Sequence, residues 1–100
     1  MILYNTTYTF DSASQHEWLY WIRSEHIPAV MNTGLPLNHR LLRLVSDVGQ
    51  QGVVVSFQLD FANMADYQLF SDTYTDVLHD RMQFRFAGKL ASFSTVLEEI

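Results

Sequence analysis

The chain contains no cysteine, which excludes disulfide staples, thiolate metal sites, redox pairs and a thiol nucleophile. Basic residues are scarce: six Lys and Arg, scattered singly, stand against eleven acids and leave a net charge of −5. With no basic patch, phosphate backbones find no electrostatic footprint, and nucleic acid is not an expected partner. Long apolar runs are also missing; nothing approaches the roughly 20 residues a membrane helix requires, so no membrane partner is expected. The opening Met1-Ile2-Leu3-Tyr4-Asn5-Thr6 lacks the basic start and apolar stretch of a signal peptide, and the expected location is cytoplasmic. The four glycines form no phosphate-binding loop, and no nucleophile elbow or Ser-His-acid pattern occurs.

What the chain has in plenty is ring surface. Seven Phe, five Tyr and two Trp make up 14% of the residues, while charged residues are only 17%. A core built from rings removes a large area from water per side chain. One hundred residues suffice for one such core, so the reading is a single domain over 1–100. The low charge suggests that part of the surface is covered, most simply by a second copy of the chain.

Ile2 to Phe10 alternates with period two, as a strand does. Ser14 and Glu17 are spaced as a capping box ahead of a helix whose buried stripe is Trp18, Leu19, Ile22, His26 and Val30. Pro28 cannot donate to the Ser24 carbonyl, which predicts a kink near His26 and Ile27. Gly34 followed by Pro36 ends the helix. His39 to Asp47 reads as an edge strand with Arg40 and Arg43 interleaved, Gly49-Gln50-Gln51-Gly52 as a turn, and Val53 to Phe61 as a second half of a hairpin. Asn63 is placed to cap a second helix with the stripe Tyr67, Phe70, Tyr74, Val77 and Leu78. Gly88 ends it, and Leu90 to Leu97 forms a last strand.

The order β-α-β-β-α-β is the split-βαβ signature of an α+β, ferredoxin-like domain. It puts the first and third strands in the centre of a four-stranded antiparallel sheet and both helices on one face. Tyr4, Tyr8, Phe10, Val55, Phe57 and Leu59 then lie under the helices, with Leu3, Asn5, Thr7, Val54, Ser56 and Gln58 on the other face. That second face is either solvated or packed against a second subunit in a barrel-like dimer.

The runs Trp18-Leu19-Tyr20-Trp21 and Glu25-His26-Ile27-Pro28-Ala29-Val30-Met31-Asn32-Thr33-Gly34 resemble a family of small uncharacterised bacterial proteins. Ile2-Leu3-Tyr4-Asn5, Leu41-Leu42-Arg43-Leu44 and Phe86-Ala87-Gly88-Lys89, with Phe93 and Thr95, fit the same family. It is a domain of unknown function within the dimeric α/β-barrel superfamily. The resemblance implies a homodimer with sheets face to face, and no activity. It also implies an arginine in the last strand, where this chain has Ser94.

His26 is the principal candidate for a site. The topology brings Tyr4, Phe61 and Tyr67 to the same edge, so that these four residues and the Ser24 carbonyl form a candidate ligand pocket. Members of the superfamily that act on polyketide-like or aromatic compounds use His and Tyr as general acid and base, and the resemblance implies that chemistry as one option. The other option is that His26 hydrogen-bonds a carbonyl and fixes the bend. Arg43 reads either as a clamp for a ligand carboxylate or as an edge-strand or interface charge paired with an acid. Trp21 falls off the stripe and reads as an exposed anchor at a subunit contact or as a partly covered surface ring. Asp72, Asp76, His79 and Asp80 read as a solvated face, and neither a metal nor a cofactor is expected. Two functions are carried forward: a small dimeric protein that binds a modest apolar or aromatic molecule, with or without cofactor-free catalysis, and a structural or interaction module whose dimer is its function.

Overall fold

Period-two alternation becomes four strands: β1 (Ile2–Phe10), β2 (Asn38–Arg43), β3 (Val53–Phe61) and β4 (Leu90–Glu98). These come from a computed structural model that describes residues 1–46 and 52–100. The second strand, expected to run to Asp47, stops at Arg43, and the turn expected at Gly49 to Gly52 lies, apart from Gly52, outside the described residues. The strands pair antiparallel in the order β2-β3-β1-β4, so the two most apolar strands are central. The register sets Thr6 opposite Phe57 and Tyr8 opposite Val55, which puts the aromatic positions of β1 and the apolar positions of β3 on one face. The chain is a ferredoxin-like α+β domain. Among the described residues no helix is long and apolar enough to cross a membrane.

Two helical arms cover the aromatic face, and each is interrupted by a π-turn. The first follows a 3-10 turn at Ser12–Ser14 and consists of α1 (Gln15–Trp21), a π-turn (Ile22–His26) and α2 (Ile27–Met31). The second consists of α3 (Met64–Phe70), a π-turn (Ser71–Thr75) and α4 (Asp76–Arg85). The break expected near His26 and Ile27 is thus a π-turn, in which the Ile27 N–H donates to the Ile22 carbonyl five residues back. Pro28 falls in the first turn of α2, where a missing N–H costs least. Proline is not required for the device, because the second arm makes the same turn without one.

The arms end and begin largely as their sequences dictate. Gly34 and Gly88 stop them at φ 77° and 75°, a backbone region that favours glycine. Asn63 caps α3, its Oδ1 accepting from the Asp66 N–H at 2.8 Å. The capping box at Ser14 does not form. Ser14 already has near-helical backbone angles inside the 3-10 turn, and its side chain makes no cap bond. Glu17 pairs instead with Arg85 Nη1 at 2.6 Å and ties the two arms together.

The buried stripes are Trp18, Ile22, His26 and Val30 in the first arm, and Phe70, Leu78, Met82 and Phe86 along and just beyond the second, with Tyr74 half-buried. Successive positions are four apart. In a pure α-helix each such step overshoots a turn by about 40°, so several steps would carry the stripe off its face. The extra residue of a π-turn absorbs most of that drift. Val77, expected on the stripe, is 60% exposed for the same reason: the α-helical count is thrown off by the π-turn just before it.

Trp18 is fully buried against Phe10 and Tyr8, with centroids at 4.7 and 5.2 Å. Phe61 is equally buried against Phe70 and Tyr67, at 5.2 and 5.6 Å. Helical cover stops short of β4: Ser92, Ser94 and Val96, the partners of Tyr8, Thr6 and Tyr4 on the helix side, are exposed.

The opposite face carries a hydrogen-bonded ladder across three strands. Arg40 binds Asp60 in two bonds of 2.8 and 3.0 Å and donates to Gln58 Oε1 at 3.1 Å. Gln58 donates to Ser56, Ser56 to Asn5, and Asn5 to Thr7. The Arg40 bonds hold the Asp60 carboxyl below the usual carboxylate range.

Core and surface rings should separate cleanly in urea unfolding. Phe61→Ala is expected to cost about 3–5 kcal/mol, and Phe84→Ala, at a ring 91% exposed, about 0.5 kcal/mol or less. Similar costs for the two would contradict the packing described.

Candidate functional site

Where helical cover ends, a cavity of ≈ 360 Å³ opens between the arms and the sheet. Its floor is the helix-side face of three strands: Tyr4, Thr6 and Tyr8 from β1, Phe57 and Leu59 from β3, and Ser92 and Ser94 from β4. The first arm contributes His26 and Val30 to its walls, and the second contributes Phe70, Thr75, Leu78 and Met82. Asp76 and His79 also border it and are exposed, which places them at its rim.

The cavity brings together Tyr4 and His26 of the four expected pocket residues. Tyr67 and Phe61 do not line it. Tyr67 packs behind Tyr4 at 5.4 Å and against Phe61 at 5.6 Å, so both belong to the aromatic wall that supports the site. The second phenol at the cavity is Tyr8, which reaches it from the same strand as Tyr4. Ser24 is turned to the outer surface of the first arm, beside His16, Tyr20 and Arg23. Arg43 is exposed at the end of β2 and borders a groove on the opposite sheet face with Leu42, Val54 and Phe93, so it does not meet His26.

His26 is buried and sandwiched by rings. Trp21 stacks on it at 5.6 Å and 27°, and Phe57 meets it edge-on at 5.7 Å. Trp21 is therefore half-buried, with Phe86 edge-on to it at 5.5 Å, the partly covered ring of the two readings rather than an exposed anchor. Burial, with the Arg81 charge adding to it, pushes the His26 pKa down from 6.5 to about 4. At neutral pH the imidazole is uncharged and offers one donor and one acceptor. Burial and the neighbouring Tyr4 raise the Tyr8 phenol well above its usual range, so it too is neutral. The remaining polar groups are hydroxyls: Thr6 Oγ1 and Ser94 Oγ share a hydrogen bond of 3.0 Å, with the Tyr4 hydroxyl 3.4 Å from Ser94. Among the described residues no Lys or Arg lines the cavity. Among the described residues no three His, Asp or Glu side chains converge as a metal centre would need.

Tyr8, Thr75, Asp76 and His79 are cavity residues that the sequence reading does not place there. Tyr8 was legible as a core ring but not as a cavity residue, since the gap above it depends on where helical cover stops. Thr75 closes the second π-turn and Asp76 and His79 follow it, and the sequence sign of that turn is the spacing of four between core positions.

The buried state of His26 has a measurable consequence. Between pH 6.5 and about 4 the unfolded chain takes up a proton that the folded protein refuses, so stability falls as pH drops through that window. The expected loss is about 3 kcal/mol, read from urea melts at several pH values. His26→Gln should flatten that segment of the profile; an unchanged slope would show that His26 is not held neutral.

The same chain path is found in solved structures of low identity. A dimeric ferredoxin-like protein from an uncultured marine organism matches with a TM-score of 0.68 at 11% identity, over 99% of this chain and 97% of that one. An antibiotic biosynthesis monooxygenase matches at 0.67 and 13%, over 100% and 99%. Hydroxynitrile lyase from Passiflora edulis matches at 0.64 and 11%, over 99% and 95%. At such identities the likeness is one of fold. No curated protein matches the sequence. The family model described as Domain of unknown function (DUF4286) matches residues 1–100, and the chain belongs to that family.

Proposed function

We propose that this protein binds a small, uncharged aromatic or apolar molecule in the cavity beside His26, and that it does so as a homodimer closed through the open sheet face. The observation that carries the first part is a buried, neutral imidazole bordering a cavity of ≈ 360 Å³. Sites for small organic molecules are of this size, mostly apolar, with a few convergent polar groups. Val30, Leu59, Phe70, Leu78 and Met82 supply the apolar surface, and His26, Tyr4 and Tyr8 the polar contacts. A neutral histidine beside two phenols is also equipped to move a proton without a cofactor. An anionic ligand is disfavoured, because the described lining holds no Lys or Arg and the rim carries Asp76. A neighbour in fold named for its action on hydroxynitriles supports the small-molecule reading by analogy alone.

Leu42, Phe93 and Leu97 on the open face favour the dimer, each being exposed beside a ladder whose polar groups already satisfy one another. A dimeric neighbour of the same fold supports it. The lack of cysteine suits a cytoplasmic setting.

A thermal-shift panel tests the ligand reading. Acetophenone should raise Tm, while benzoate, the same ring with a charged group, should not. A panel of neutral aromatic ketones and phenols that leaves both Tm and the His26 ring resonances unmoved would overturn it.

Light scattering tests the assembly. The wild type should have a dimer mass at micromolar concentration, and Leu42→Glu, at an exposed position, should give a folded monomer. A monomeric wild type would remove the dimer; a dimer with no ligand would favour the interaction module instead.

A further inference from the structure

The two π-turns have something in common beyond their geometry. Each ends on a residue that lines the same cavity: His26 closes the first and Thr75 the second. Such turns recur at functional sites because one extra residue re-aims a side chain without breaking the helix. His26 already has a place in the site. Thr75 has none yet.

Its hydroxyl is also chemically incomplete. Thr75 Oγ1 is buried and has no hydrogen-bond partner. The comparable hydroxyls of the first arm are satisfied locally: Ser24 Oγ donates to the Tyr20 carbonyl at 2.7 Å, and Thr33 Oγ1 to the Val30 carbonyl at 2.8 Å. A hydroxyl withdrawn from water without a partner costs free energy, and such groups are rare in folded proteins. The Trp18 Nε1 shares this condition but lies among the Tyr8 and Phe10 rings and does not border the cavity. Thr75 is thus an unsatisfied donor at the wall of the cavity, beside the apolar Phe70, Leu78 and Met82 of the same arm.

We propose that the Thr75 hydroxyl donates to the oxygen of the bound molecule, and that the π-turn Ser71–Thr75 is what aims it there. This rests on the cavity being a ligand site, and it names the ligand's chemistry: a neutral aryl ketone or aldehyde, with its ring against Val30, Leu59 and Leu78. A carbonyl oxygen accepts and brings no charge into a lining without cations. It completes Thr75 at no cost to another pair.

The test compares acetophenone with α-methylstyrene, in which a CH₂ replaces the carbonyl oxygen and the shape is nearly kept. Wild-type protein should bind acetophenone about tenfold more tightly by titration calorimetry. Thr75→Val should be at least as stable as wild type, since it removes an unsatisfied hydroxyl, and should bind the two probes about equally. Thr75→Ser should keep the preference. A Thr75→Val protein that melts lower or fails to fold would show that the hydroxyl is bonded within the protein and would overturn the proposal. Equal binding of the two probes by wild type would overturn it while leaving the cavity a ligand site. Binding of neither probe would remove the ligand site and the role of Thr75 together.

Discussion

Two helical arms must cover one face of a four-stranded sheet, and they bury only its two central strands. The aromatic positions of β1 and β3 are sealed by Trp18, Ile22, Phe70 and Met82. The helix-side positions of β4 receive Ser92 and Ser94, which need no apolar cover. Every feature of the site follows from this shortfall. Tyr8 keeps its ring in the core while part of it borders a cavity, Tyr4 is left half-buried, and hydroxyls rather than leucines form the far floor. Filling the space with large side chains would have been the more stable arrangement, since voids forfeit dispersion contacts. The serines are the sequence's way of leaving it open.

Strand positions were legible because period-two alternation has a single reading; β1 and β3 begin and end where the alternation does. The arms were legible as helices and as stripes, and His26 was placed on the buried side of the first. The π-turns were not, because a hydrophobic stripe counted at three and four absorbs an extra residue without complaint. Their sign was there in Trp18, Ile22, His26 and Val30, all separated by four and never by three. From that missed residue come the exposure of Val77 and the arrival of Asp76 and His79 at the cavity rim. That Tyr8 rather than Tyr67 joins Tyr4 at the cavity was hidden for a different reason. Topology indicates which elements meet at an edge, but only packing decides which ring stands in front of which.

The two sheet faces solve the problem of polar groups in opposite ways. Under the helices the polar groups are few, neutral and partly unsatisfied. On the open face they are linked from Asp60 through Arg40, Gln58, Ser56 and Asn5 to Thr7. A fully connected network can be covered without stranding a donor. Between the arms, Glu17 reaches Arg85, whose guanidinium also lies 4.9 Å over the Phe86 ring, and this exposed contact fixes the arms side by side near Trp21.

A π-turn is one residue more than an α-helix needs, which makes it a unit that evolution can insert or delete. Removing a single residue from 71–75 would let the second arm close as a continuous α-helix. Phe70 on one side and Leu78, Met82 and Phe86 on the other would then stand at ordinary α-helical spacing and could still pack on β1 and β3. The core would be retained, while the side chain now at Thr75 would turn away from the cavity. A change of length at this point would thus re-aim a cavity side chain within an unchanged fold.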